Sequence, residues 1–104
     1  MTSRIVVVSE AEEELLEARH WYESRRSGLG DEFLAAVNGV ISKLAAGDFV
    51  SMPLWGLDGH LNVRKLRVKR FPYFVVFIEH ADAYWVLAFA HHRRRPGYWR
   101  HRSP

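Results

Sequence analysis

The 104-residue chain contains no cysteine, which removes disulfide frameworks and thiolate zinc sites at once and suits a reducing compartment. A long apolar run is also missing. The N-terminal stretch MTSRIVVVSEAEEELL offers five uninterrupted apolar or small residues before its acids begin, too few for a signal-peptide core or a membrane span. A soluble, unprocessed, cytoplasmic protein is therefore expected. No internal repeat or low-complexity stretch occurs. Acids are scarce in one half only: residues 1–48 hold nine acids against five bases, whereas residues 49–104 hold three against ten. The net charge of +3 thus conceals a half at −4 and a half at +7. A basic half of this kind attracts nucleic acid, an anionic protein surface or an acidic peptide through a field that salt screens. The plainer reading is a set of lysines and arginines that solvate one side of a sheet. The six histidines are scattered apart from one adjacent pair, and no acid is spaced to complete a site, so neither a metal nor an organic cofactor is expected.

What is present is enough for one core. A hydrophobic content of 48% with 13% aromatics over this length predicts a single domain spanning 1–104. Its organising stretch is the last third, VRKLRVKRFPYFVVFIEHADAYWVLAFAHHRRR. On an extended segment Leu66 and Val68 point one way and Lys65, Arg67 and Lys69 the other, giving one apolar and one positive face. Phe71-Pro72 breaks the pattern, since proline donates no ladder bond and excludes helix from its predecessor. Tyr73 to Ile78 suits a strand covered on both faces. Ala81-Asp82-Ala83 reads as a turn and Tyr84 to Ala90 as the next strand, completing an antiparallel meander. Glu79 and Asp82 are read as strand-end and turn residues.

Upstream, Arg4 to Val8 reads as a first strand. Ser9 and Glu12 fit a capping box, and Ala11, Leu15, Ala18 and Tyr22 define the buried stripe of a first helix that stops by Gly28. Asp31 and Glu32 open a second helix with the stripe Phe33, Val37, Val40, Ile41 and Leu44, ended by Gly47. So short a connection makes the helices antiparallel, and their stripes need the inner face of the sheet. Between Asp48 and His60 an irregular connection carries Pro53, Trp55, Gly56 and Gly59, with Trp55 read as packing. The fold class is α+β, β-α-α-β-β-β: a mostly antiparallel four-stranded sheet, a helical hairpin on one face and a short basic tail. The run Arg100-His101-Arg102-Ser103-Pro104 reads as a frayed end.

That order, with particular residues, resembles the ParE/RelE superfamily of toxins from bacterial toxin–antitoxin (plasmid-stabilisation) modules. Ala18 to Tyr22 followed by Gly28-Leu29-Gly30-Asp31-Glu32-Phe33 is similar to the helical hairpin of the ParE-like branch. Val63-Arg64-Lys65-Leu66 and Arg70-Phe71-Pro72-Tyr73 resemble its second and third strands. Ala90-His91-His92-Arg93-Arg94-Arg95-Pro96 with Trp99 resembles its end-of-sheet signature. The resemblance implies a RelE/ParE-like fold, growth arrest as the outcome, and a cognate antitoxin whose disordered segment folds along the hairpin to the edge of the basic sheet. A homodimer or a toxin–antitoxin hetero-oligomer is compatible with it.

Two mechanisms follow from the resemblance. ParE-like members poison DNA gyrase and need a binding surface but no catalytic set; Lys65, Arg67, Lys69, Arg70, His91, Arg93, Arg94, Arg95, Tyr98 and Trp99 are the candidates, arginine and tryptophan being rich in interface energy. RelE-like members cut messenger RNA on the ribosome, which needs a base, an acid and a cation at the phosphorane. For that alternative the catalytic candidates are Lys65, Arg67, His92 and Tyr98, with His91 or His92 able to titrate near neutrality. Where that branch carries an arginine after the tyrosine of its third strand, this chain has Phe74, which holds no phosphate. A third alternative is a non-catalytic nucleic-acid-binding module with Trp85 or Trp99 as stacking platforms; Trp85 is otherwise read as core.

Overall fold

The computed structural model describes residues 3–53 and 62–102; Trp55, Gly56 and Gly59 lie outside the described residues. The first strand, β1 (Arg4–Val7), leads into α1 (Ser9–Arg25), which is followed by α2 (Leu29–Ala46). Four strands come next: β2 (Met52–Pro53), β3 (Arg64–Arg67), β4 (Tyr73–His80) and β5 (Ala83–His91), and a short 3-10 turn (Arg100–Arg102) comes last. The α+β class and the helical hairpin are as expected. The sheet, however, has five strands in the order β1-β5-β4-β3-β2, mixed because β1 runs parallel to β5. Met52 and Pro53 form the additional edge strand against Lys65 and Arg64. Two residues make no periodic signal, and proline is tolerated there because an edge strand spares one row of ladder bonds.

The apolar stripes assemble as the spacing predicts. Ala11, Ala18, Phe33, Val37 and Leu44 are buried and pack on Leu66, Val68, Val75, Phe77, Val86 and Phe89 from the inner face of the sheet. The helix starts differ from expectation. The Ser9 hydroxyl bonds to its neighbour Glu10, and the N-cap of α1 is Val8, which makes no side-chain cap. At the start of α2 the N–H groups of Gly28 and Gly30, which lack helical acceptors, are satisfied from α1, both donating to the Glu23 carboxylate at 2.9 and 3.0 Å. Gly30 also sets the spacing of the hairpin, since a Cβ there would stand 2.7 Å from the Arg19 carbonyl oxygen.

β4 and β5 are joined by Ala81 and Asp82, both left-handed at φ 50° and 61°, the two-residue geometry that matches the twist of the strands it connects. A register shift at Val76/Phe77 leaves an extra residue in β5. The outer face of the sheet is also covered, by the tail: Trp99, 4% exposed, closes a second cluster with Val63, Val76, Ile78, Leu87, Ala88 and Ala90. The molecule is therefore layered as helices, sheet and tail. Arg100–Arg102 is not a frayed end, because Arg102 pairs with Glu14 at 2.8 Å with side chains only 9% and 16% exposed. No helix among the described residues is long and apolar enough to cross a membrane.

Candidate functional site: a basic wall beneath the tail

Strand alternation decides which cations can meet. With Leu66 and Val68 turned to the helices, Lys65 falls on the outer face opposite Val76, and Arg67 opposite Phe74. The Lys65 ammonium sits 4.2 Å from the centre of the Phe74 ring. The Phe74 phenyl is thus a platform for a neighbouring cation.

Beyond β5 the chain returns through successive turns, with Arg94 N–H bonded to the His91 carbonyl at 2.9 Å and Arg100 N–H to that of Gly97 at 3.1 Å. Gly97, at φ 83°, provides the left-handed step. Trp99 then anchors the segment in the outer core. Between sheet and tail remains a small cleft of about 110 Å³, lined by Lys65, Phe74, His92, Arg94, Arg95 and Trp99 among others. The ion pairs among the described residues involve Arg19, Arg26, Arg70 and Arg102. Lys65, Arg93, Arg94 and Arg95 therefore carry charge that no carboxylate of these residues neutralises.

The candidate set does not stay whole. Arg70, left-handed at φ 72°, reaches back across the hairpin to Glu32 at 2.9 Å, and Glu32 also takes Arg26 at 2.7 Å. The two guanidiniums hold the Glu32 carboxyl below its ordinary range. Arg70 is thus a structural tie and leaves the wall. Trp99 leaves it too, being buried, and so cannot serve as a stacking platform; Trp85, packed against the same outer cluster, is half-buried. Arg67 and Lys69 line a different groove, of about 810 Å³, between α2 and the β2–β3 edge. Its apolar lining includes Val50 and Met52, 96% and 44% exposed, and Lys43 adds a third cation.

Tyr98 is diverted as well. Its hydroxyl donates to Glu14 at 2.6 Å, and its ring carries the Arg94 guanidinium at 4.0 Å. Burial, the bond to Glu14 and the charge of Glu14 push the phenol well above its ordinary value. It therefore stays protonated and committed at neutral pH. His91 and His92 are stacked, with ring centres 4.7 Å apart. His91 Nδ1 accepts the Arg93 N–H at 3.1 Å. Burial, then His92 and Arg93, lowers its pKa, so the imidazole is held neutral. Among the described residues no three histidine or carboxylate side chains gather closely enough to hold a metal ion.

Sequence reasoning missed Glu14 and Arg102, which hold the tail in place. Glu14 Oε1 accepts both Arg102 and the Phe89 N–H, at 2.8 and 3.2 Å, while Arg102 also donates to the Leu87 carbonyl at 3.1 Å. β1 pairs with β5 only from Ala83 to Val86, so this pair satisfies the edge of β5 that β1 does not reach. One signal was legible: Glu14 lies three residues after Ala11 and four before Ala18, inside an otherwise buried stripe. Neither a protein-family model nor a curated protein matches the chain.

Proposed function

We propose that the chain is a toxin of the ParE-like branch of the ParE/RelE superfamily, with the RelE/ParE-like fold, inhibiting DNA gyrase through its basic wall and neutralised by a cognate antitoxin. The observation that carries the reading is the convergence of Lys65 with Arg94 and Arg95 on one cleft, free of carboxylate partners among the described residues. A binding surface needs no more than this, and unpaired arginines above an aromatic base suit an anionic protein or nucleic-acid face. The groove bounded by Lys43, Arg67 and Lys69 supports an antitoxin segment that is acidic and amphipathic, in keeping with the apolar lining and cationic members of that groove.

The second reading, a ribosome-dependent nuclease, is favoured by His92 and Lys65 lining the same cleft. It is weakened by Phe74 and by the engagement of the Tyr98 hydroxyl with Glu14. Induced expression in a bacterial host separates the two. The gyrase reading expects a DNA-damage response and, with purified gyrase and ATP, accumulation of cleaved plasmid. Lys65→Glu and Arg95→Glu should abolish that cleavage without unfolding the chain, while Arg70→Ala leaves it intact. Arrest of translation with message cut on ribosomes, lost in His92→Ala, would replace gyrase with the ribosome and mRNA.

A further inference from the structure

A separate cleft of about 560 Å³ opens on the helix side of the sheet, between α1 and the end of β5, within the size range of small-molecule sites. A row of rings runs along it. Trp21, Tyr22, Tyr73 and His91 follow one another with centres 5.1, 6.3 and 5.2 Å apart. Trp21 is 52% exposed, although an indole on a small protein is ordinarily drawn inward. The Arg25 guanidinium lies 4.5 Å from the centre of its ring, so the π-face already accepts a flat, delocalised group.

The ionic groups of this cleft divide by wall. On α1, Glu14 is spent on Tyr98 and Arg102, but the Glu17 carboxylate makes no hydrogen bond or ion pair among the described residues. On the tail, Arg94 has no carboxylate partner among them and rests on the Tyr98 ring. Between these walls the Tyr22 and Tyr73 hydroxyls have no hydrogen-bond partner among the described residues, and burial raises the pKa of both, keeping them as donors. The cleft thus offers flat apolar surface, an acceptor at one side, a cation at the other and neutral donors between.

We propose that this cleft binds a nucleotide, its base against Trp21 with an exocyclic amine donated to Glu17, and its phosphate at Arg94. A simple anion uses Arg94 and leaves the rings and Glu17 idle. A cationic ligand meets Arg94, and a purely apolar one buries two charges without a partner for either. An amino acid carries both charges on one carbon, whereas the two walls belong to different elements. A nucleotide separates an amine-bearing ring from a phosphate and meets each group with its complement. Because Arg94 and Tyr98 also line the outer cleft, an occupied site would abut the basic wall, but the proposal does not depend on gyrase being the target.

Calorimetric titration of the full chain with GMP, AMP, CMP and UMP, and with inorganic phosphate, tests it. Saturable binding is expected for the amine-bearing nucleotides, with UMP and phosphate weaker by about tenfold or more. Trp21→Ala and Arg94→Ala should each weaken binding by about tenfold, in line with the loss of one stacked base contact, and Trp21→Phe should restore most of it. Both positions are exposed, so unchanged circular dichroism is expected in each variant. A 5′-phosphorylated tetranucleotide distinguishes the source of the ligand: tighter, Trp21-dependent binding points to a strand end, and equal or weaker binding to the free mononucleotide. The proposal is overturned if no nucleotide saturates by about 10 mM, near the weakest affinities that matter for a small ligand. It is overturned equally if phosphate matches GMP or if Trp21→Ala binds like the parent.

Discussion

Glu14 ties the first helix to the far end of the chain through three hydrogen bonds. Its carboxylate takes a phenol, a guanidinium and a backbone N–H, and the Arg102 pair is largely shielded from water. Removing one partner of such a pair leaves the other charge uncompensated, so Glu14→Gln should cost about 2–4 kcal/mol, read as a lower urea midpoint at unchanged slope. A loss under about 0.5 kcal/mol, the range of ordinary surface substitutions, would show the pair to be idle. His91 makes the second residue-scale prediction. Its folded pKa lies below the ordinary 6.5, so in the window just under 6.5 the unfolded chain binds more protons than the folded one. Stability supplied by the neutral imidazole is present above about 6.5 and is lost as the pH falls through the folded value. Urea midpoints should drop between about pH 7 and pH 5, with the drop reduced in His91→Gln; a parallel pair of curves would refute the assignment.

Among the elements, the hairpin is the most exacting. Gly30→Ala would set a methyl 2.7 Å from the Arg19 carbonyl and 2.9 Å from a Glu23 carboxylate oxygen, and α1 would have to move. About 1–3 kcal/mol should be lost, as in other overpacked contacts, against a small gain for Gly39→Ala, where the added carbon meets nothing within 4 Å and alanine favours the helix. Thermal denaturation of the two variants should therefore move in opposite directions. The same elements mark how far the sequence could be read. Helical spacing located both buried stripes, and alternation correctly turned Leu66 and Val68 inward, because periodicity is set by local geometry. The strand ends at Arg67, however, and Lys69 joins Arg67 in a groove apart from Lys65. The Gly47 stop of α2 was read correctly, but the capping box at Ser9 did not form, and Glu23 serves α2 from another helix, which no local pattern encodes. β2 escaped notice because two residues have no period. The tail was misread because a run of arginines looks solvated until a partner such as Glu14 is seen in space.

At the scale of the whole molecule, the division between an acidic half and a basic half is partly cancelled by pairing in space. Part of the basic half is neutralised internally, Arg70 by Glu32 and Arg102 by Glu14, so the formal +7 overstates the outward field. Among the other cations, Lys65, Arg94 and Arg95 line the wall, while Arg67 and Lys69 line the groove, where Lys43 joins them from the acidic half. On the proposed reading each surface meets its own anionic partner, and charge reversal at one should leave binding at the other unaltered. Association at the wall should weaken steeply between about 50 and 200 mM salt in the parent and less steeply in Lys65→Glu; a salt-independent interaction would speak against an electrostatic encounter. The cover on the second half of β5 has a last implication. Glu14 and Arg102 occupy donors and acceptors that a foreign strand would otherwise recruit, so they insulate a raw ladder from self-association. A chain stripped of them would present a sticky seam, and clumping that steepens with protein concentration would accompany its lower stability.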